Sequence, residues 1–396
     1  MQELLIDVTN NLKKILLVQN GKLIEKYEDE PEHERLEGNI FLGLVEDVLP
    51  GMQAAFVNIG KEKNTFIHIR DVIPKISEET GNKNEDFSNY NIKDYLKPGK
   101  PVLVQVKKDS TNKKGARISS HISIPGRFVV LIPNEKFITI SQKIDDSNER
   151  ERLKNIIKDN ITDNYGAIIR TSAALKSKEE LIEDLKATIN KYKEIVKSYD
   201  EAISSKNLKP KLLYKSEDIV QRLLTDLMDQ DLVNIYTNNK EVFDQVNKKL
   251  KETNKNIKLE LREDILNQYD IKKQLEQLEN RKIWLKCGGF ITIDKTEALT
   301  AIDVNSGKYT GGKDLEHTIF TVNKEATIEI ARQLRLRDIG GIIIIDYIDM
   351  KDKKNEEEIV KLFKECLKND RSKTQIVGFS KLNLLEMTRK HMCSND

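Results

Sequence analysis

A chain of 396 residues with 38% hydrophobic residues carries enough apolar material for roughly two to four conventional domains. Its 67 Lys and Arg residues against 65 Asp and Glu leave a formal net charge of +2, so total charge points to no nucleic-acid or membrane partner and any basic surface is local. No apolar run approaches the length of a transmembrane segment, the start Met1-Gln2-Glu3-Leu4-Leu5-Ile6-Asp7 lacks the pattern of a signal peptide, and Cys287, Cys366 and Cys393 have no C-x-x-C spacing; a cytoplasmic protein without disulfides is expected.

Residues 1 to 34 read as a β-meander (Leu4 to Val8, Lys14 to Gln19, then Leu23 to Tyr27 after the Gly21 turn) that lacks a core of its own. From 35 to about 125, short strands separated by Gly and Pro turns (Asn39 to Val48, Gln53 to Asn58, Asn64 to Ile69, Gly99 to Lys107) carry the pattern of a small closed barrel, with Ser77 to Tyr90 as a charged, mobile extension. Strands follow at Phe128 to Ile132, Phe137 to Ile140 and Tyr165 to Arg170, with a helix at Ser147 to Asn160. Apolar residues from Leu175 to Tyr199 recur at three- and four-residue steps, which predicts a helix of roughly eight turns or a tight helical pair whose Lys/Glu-rich face is solvated.

Pro210 ends that unit. Helix Ile219 to Met228, strand Leu232 to Tyr236, helix Glu241 to Glu252 and strand Ile257 to Leu261 then form an α/β module with too few strands for a sheet, so residues 1 to 34 are expected to supply the missing ones. From 280 to 396 strand and helix alternate: Lys282 to Leu285, Phe290 to Asp294, Ala298 to Val304, helix Thr318 to Arg337, Gly341 to Tyr347, helix Glu356 to Leu367, strand Thr374 to Val377, and a helix over Lys381 to Lys390.

Two of these strands end in carboxylates, Asp303 and Asp346, with one helix between them; this spacing suits neighbouring strands with both groups at the carboxyl-end rim, where α/β active sites lie. Such charges at the tips of buried runs are costly unless a cation or hydrogen bonds compensate them. Hard oxygen ligands without His or Cys nearby select Mg²⁺, with Mn²⁺ as the alternative. A metal held there lowers the pKa of a bound water and neutralises charge in phosphodiester hydrolysis. Asn305, on the same strand face as Asp303, orients that carboxylate or the attacking water, whereas Asp349 and Glu297 read as solvated loop charges.

The runs Thr296 to Gly307, Ile330 to Gly341 and Ile345 to Met350 resemble the catalytic core of the ribonuclease E/G family, and the resemblance extends over the whole chain, weakest across 145 to 275. It implies that Asp303 and Asp346 hold one Mg²⁺ with Asn305 assisting. The implied fold is multi-domain α/β plus all-β: a discontinuous RNase H-like domain (1-34 and 215-279), an inserted S1 (OB) barrel (35-125), a 5′-sensor region (126-214) and a DNase I-like α/β catalytic domain (280-396).

Gly43 to Gly60 followed by Thr65-Phe66-Ile67-His68 resembles an S1 domain, in which Phe56 and Phe66 offer flat faces to bases while Lys108 and Lys114 supply phosphate charge; His68 reads as an ordinary surface residue. The family's pocket for an RNA 5′-monophosphate maps onto Arg170 and Thr171, a sound phosphate fork, with backbone contacts at Gly126 and Val130. The chain departs from the family at Lys373, where an arginine is common, which keeps the charge but loses bidentate geometry. It also departs after Lys390, where His391 to Asp396 replaces the Cys-Pro-x-Cys zinc link that pairs protomers, so a homodimer joined by zinc is not expected.

The expected activity is Mg²⁺-dependent endonucleolytic cleavage of single-stranded, A/U-rich RNA to 5′-phosphate and 3′-hydroxyl ends, acting on rRNA precursors and mRNA in rRNA maturation and mRNA decay. The rivals are a non-catalytic S1-type RNA-binding protein, with the C-terminal α/β region as a platform, and a DNA nuclease.

Overall fold

In the computed structural model of the chain, the described residues are all except 1, 11, 30–34, 74–89, 111–114, 162–163, 228–231, 252–256, 308–314, 369 and 392–396. The extension expected at Ser77 to Tyr90 lies outside them apart from Tyr90, as does Cys393. Two compact units are present: Met1–Glu32 joined to Gln230–Ser394, and His33–Asp229. No described helix is long and apolar enough to cross a membrane.

The first unit holds two sheets. One has five strands in the order Lys258–Leu261, Leu232–Thr237, Gln2–Thr9, Leu12–Gln19, Lys22–Asp29. Its meander turns where Asn20 and Gly21 both adopt positive φ (50° and 75°), the backbone that a two-residue hairpin turn requires. Gln2–Thr9 then pairs in parallel with Leu232–Thr237, so segments more than 200 residues apart in sequence share one core around Leu5, Leu16, Val18, Leu23 and Tyr236.

The second sheet has six strands in the order Lys282–Trp284, Phe290–Lys295, Leu299–Asn305, Gly341–Asp346, Leu384–Arg389, Thr374–Phe379. Alternation splits its faces cleanly: Ile291, Ile293, Ile302, Val304, Ile343, Ile345, Leu385 and Met387 are buried with helices Leu315–Leu336 and Lys353–Leu367, while the residues between them face outward. Arg332 donates to the Leu23 carbonyl at 2.8 Å and Arg371 to Glu25 at 3.0 Å, tying the two sheets together.

One sequence expectation is overturned here: Lys381 to Lys390 is not a helix but contains the strand Leu384–Arg389, lying antiparallel between two other strands. Its Leu, Glu and Met residues are good helix formers. Their two-residue alternation, with Leu385, Met387 and Arg389 inward, lets the strand complete the sheet core, and that packing overrides propensity.

In the second unit, Ile40–Leu49, Ala54–Asn58, Thr65–His68, Arg117–Ser119 and Pro101–Lys108 form a closed five-strand barrel, because Pro101–Lys108 returns to pair with Ile40–Leu49. The strand Lys211–Tyr214, absent from the sequence reading, adds to Ile40–Leu49. A second sheet has the order Ile138–Ile140, Tyr165–Ile169, Val129–Pro133, Ile124–Pro125. It packs with helices Ser147–Asn160 and Lys178–Ile203; the latter is a single helix of 26 residues, started by a capping box between Ser177 and Glu180. Ile40, Ile122 and Ile124 belong to the same core as Leu131, Leu153 and Leu185, so one end of the barrel packs with the sheet.

Candidate active site

Asp303 and Asp346 are register partners on adjacent parallel strands, Leu299–Asn305 and Gly341–Asp346. Their backbones are therefore about 4.8 Å apart. Both side chains leave the sheet on its open face, because Ile302, Val304 and Ile345 beside them turn into the core. Asn305 donates from Nδ2 to Asp303 Oδ2 at 2.6 Å, fixing one oxygen of that carboxylate. Desolvation, then the charges of Asp303 and Asp349, push the Asp346 carboxyl above its ordinary value.

Two like charges side by side, with ionisation of Asp346 disfavoured, make a setting that a cation would relieve. Among the described residues no cluster of three or more His, Cys, Asp or Glu side chains could hold a metal. Two carboxylates nevertheless fit Mg²⁺ or Mn²⁺, which typically takes one or two from the protein and completes its shell with water or substrate oxygens. Asp349 is exposed just beyond Asp346 and acts on it through charge, whereas Glu297 lies in the turn at the opposite end of the Asp303 strand.

The surroundings hold both strand ends. Asn323, fully buried on helix Leu315–Leu336, donates to the Ile348 carbonyl at 2.8 Å and accepts from the Ile348 N–H at 3.2 Å, while the Tyr347 and Thr327 hydroxyls lie 2.9 Å apart. The chain leaving Asp346 is thus pinned to a helix. On the other side, a Cβ at Gly289 would stand 2.8 Å from the Asn305 carbonyl, so the Gly288-Gly289 turn approaches the end of the Asp303 strand as only glycine permits. Sequence reading missed Asn323; its one signal was a polar side chain on the apolar stripe of a helix.

On the barrel, Phe56 and Phe66 are cross-strand partners with ring centroids 6.2 Å apart in an edge-on arrangement, Phe56 being 36% exposed. Phe66 is in turn the partner of Arg117, and Arg117 of Lys108, which is exposed. One row across the barrel wall therefore carries two rings and two cations. Arg117, unremarked in the sequence, donates to Asp71 Oδ2 at 2.8 and 3.1 Å. Lys114 lies outside the described residues.

Arg170 donates to the Gly126 carbonyl at 3.0 Å and pairs with Asp226. Thr171 shares a hydrogen bond of 2.9 Å with Ser141. Gly126 opens the turn to the strand that carries Val130, and the N–H groups of Arg127, Phe128 and Val129 donate to the Asp184 carboxylate at 2.9, 2.8 and 2.9 Å. Those three donors are therefore engaged. A Cβ at Gly126 would lie 2.6 Å from Asp184 Oδ2. Gly126, Val130, Arg170 and Thr171 belong to the second unit and Lys373 to the first.

The fold and this site define an α/β protein with a paired carboxylate at the rim of a mixed sheet and a β-barrel in a separate unit. The profile of the Ribonuclease E/G family matches residues 123–392. The chain is 37% identical over 399 residues to ribonuclease G of Escherichia coli K12 and 35% identical over 393 residues to ribonuclease G of Haemophilus influenzae, in each case covering 98% of this chain and 79% of the relative. It is 36% identical over 367 residues to ribonuclease E of a Nostoc species, covering 90% of this chain and 52% of that protein. The chain belongs to the ribonuclease E/G family.

Proposed function

We propose that the chain, an endoribonuclease by its family, is a Mg²⁺-dependent enzyme that cleaves single-stranded, A/U-rich RNA to 5′-phosphate and 3′-hydroxyl ends, in the cytoplasmic maturation of rRNA and decay of mRNA. The observation that carries the reading is the register pairing of Asp303 with Asp346. In it, Asp303 and Asp346 hold the divalent ion, and Asn305 keeps the Asp303 carboxylate turned toward it. When bound, the ion supplies charge neutralisation at the phosphate and a more acidic water.

The domain assignment is part of the same proposal. The barrel acts as the S1 module, holding unpaired bases on Phe56 and Phe66 and phosphates on Lys108 and Lys114, with Arg117 added by the cross-strand row. The five-strand sheet is the RNase H-like element and the six-strand sheet the DNase I-like catalytic one. Arg170 and Thr171, with Gly126 and Val130, form the 5′-phosphate sensor; the Gly126 carbonyl and Asp226 orient the guanidinium.

A fluorogenic A/U-rich oligonucleotide, made as RNA and as DNA and assayed with Mg²⁺ and with EDTA, tests the reading. RNA cleavage that EDTA abolishes is the expected result. Binding without cleavage would make the protein a non-catalytic RNA binder, and equal cleavage of DNA would make it a general nuclease.

A further inference from the structure

The open face of the six-strand sheet carries more than carboxylates. Trp284, the single tryptophan of the chain, is 60% exposed on the edge strand Lys282–Trp284. It is the cross-strand partner of Phe290, and Phe290 is the partner of Asn305. The adjacent row runs Lys282, Thr292, Asp303, Asp346. They alternate with Ile283, which packs partly buried against the core, and with the buried Ile291, Ile293, Ile302, Val304 and Ile345, so they share the uncovered face with the candidate metal pair.

The two rings meet edge-on with centroids 5.3 Å apart, and the Lys282 ammonium lies 4.2 Å from the Trp284 centroid and 3.6 Å from that of Phe290. An indole left mostly in water on a sheet face forfeits the burial that a tryptophan ordinarily gains. A cation stacked on it adds positive charge to a flat apolar surface. That combination suits a nucleotide, whose base stacks on a ring while its phosphate meets an ammonium.

Resting on the nuclease reading above, we propose that Trp284, Phe290 and Lys282 form a stacking subsite for one unpaired base of the RNA strand whose scissile phosphate lies at Asp303 and Asp346. The edge strand stands two strand spacings, about 10 Å, from the Asp303 strand. This is too far to touch the reacting phosphate and near enough for a neighbouring nucleotide of the same strand. Because every base has a π-face, the subsite selects for an unpaired strand beside the cut and not for a particular letter. Trp284 is thus a specificity residue and takes no part in the chemistry.

The lone tryptophan reports on its own occupancy. The full chain is titrated with a labelled single-stranded A/U decamer, with Ca²⁺ replacing Mg²⁺ and strand integrity checked on a gel. Trp284 emission is expected to be quenched in step with decamer anisotropy, and the same sequence as a duplex is expected to leave it unchanged. With Mg²⁺, Trp284→Ala should raise KM about tenfold while kcat changes much less, and Trp284→Phe should recover most of the loss. Saturated decamer binding with unaltered emission, or an unaltered KM in Trp284→Ala, overturns the subsite while leaving the nuclease reading intact. Absence of RNA cleavage by the wild-type chain in Mg²⁺ instead brings down the nuclease reading, which the emission titration does not depend on.

Discussion

Asp346 faces Asp303 across one parallel strand pair, and only the Asp303 carboxylate receives the 2.6 Å hydrogen bond from Asn305. The two acids are therefore unequal: one is held by a neutral donor, while the other stands partly desolvated beside two like charges. Asp303→Asn or Asp346→Asn is expected to lower kcat by orders of magnitude while RNA affinity through the barrel persists. Asn305→Ala is expected to cost about 10- to 100-fold in activity or metal affinity. Single-turnover cleavage alongside an RNA-binding isotherm checks both, and near-normal turnover in either aspartate variant would refute the assignment.

The raised Asp346 pKa has a stability consequence whose sign is fixed. A carboxyl whose folded pKa exceeds its ordinary value of 3.8 binds its proton more tightly in the folded state, so its ionised form works against folding once the pH rises past that ordinary value. In EDTA at neutral pH, Asp346→Asn should raise Tm above wild type, and the difference should vanish below about pH 3.5. Saturating Mg²⁺ should reverse the order, since the ion stabilises only the chain that binds it. Thermal unfolding at two pH values with and without the metal measures all three.

Arg389 is buried with Asp370 (side chains 2% and 1% exposed), bonded to it at 2.8 and 3.2 Å and further to Asp338 and the Ile339 carbonyl. Asp370→Ala leaves the buried guanidinium only Asp338 and the Ile339 carbonyl and should destabilise the first unit by about 2–4 kcal/mol. The double change Asp370→Leu with Arg389→Met should recover most of that loss in denaturant unfolding. A single variant as stable as wild type would show the network to be dispensable.

Each barrel ring should contribute a stacking increment. Phe56→Ala and Phe66→Ala are each expected to weaken single-stranded RNA binding by about 1–3 kcal/mol. Arg117→Gln should instead lower the slope of log affinity against log salt by about 0.7 if the guanidinium meets a phosphate. An unchanged slope would confine Arg117 to its Asp71 pair.

Arg170, oriented by the Gly126 carbonyl and Asp226, is expected to favour a 5′-phosphorylated oligonucleotide over its 5′-hydroxyl counterpart. Arg170→Lys should erase most of that preference, because an ammonium loses the planar fork. Equal cleavage rates for the two oligonucleotides with the wild-type chain would rule out sensing.

Local sequence was enough to place Asp303 and Asp346 at strand ends, since an apolar run ending in a carboxylate is a local pattern, and enough to place the long helices, whose apolar period repeats many times. Leu384–Arg389 escaped it: a six-residue segment of helix formers becomes a strand only because two partner strands flank it. Arg117 and Trp284 escaped for a related reason. Nothing in their immediate neighbourhood sets them apart until the register lines up Arg117 with Phe66 and Trp284 with Phe290.

What the amino-acid order determined by itself was chemistry and period: which side chains can hold a hard cation, which can stack on a base, and which segments bury one face. What only the tertiary structure decided was adjacency. Whether Asp303 meets Asp346, whether Asn305 reaches back to it and whether a tryptophan shares their face depend on strand order and register. These are set by the packing of residues far apart in the chain, and a shift of one residue would turn each of those side chains into the core.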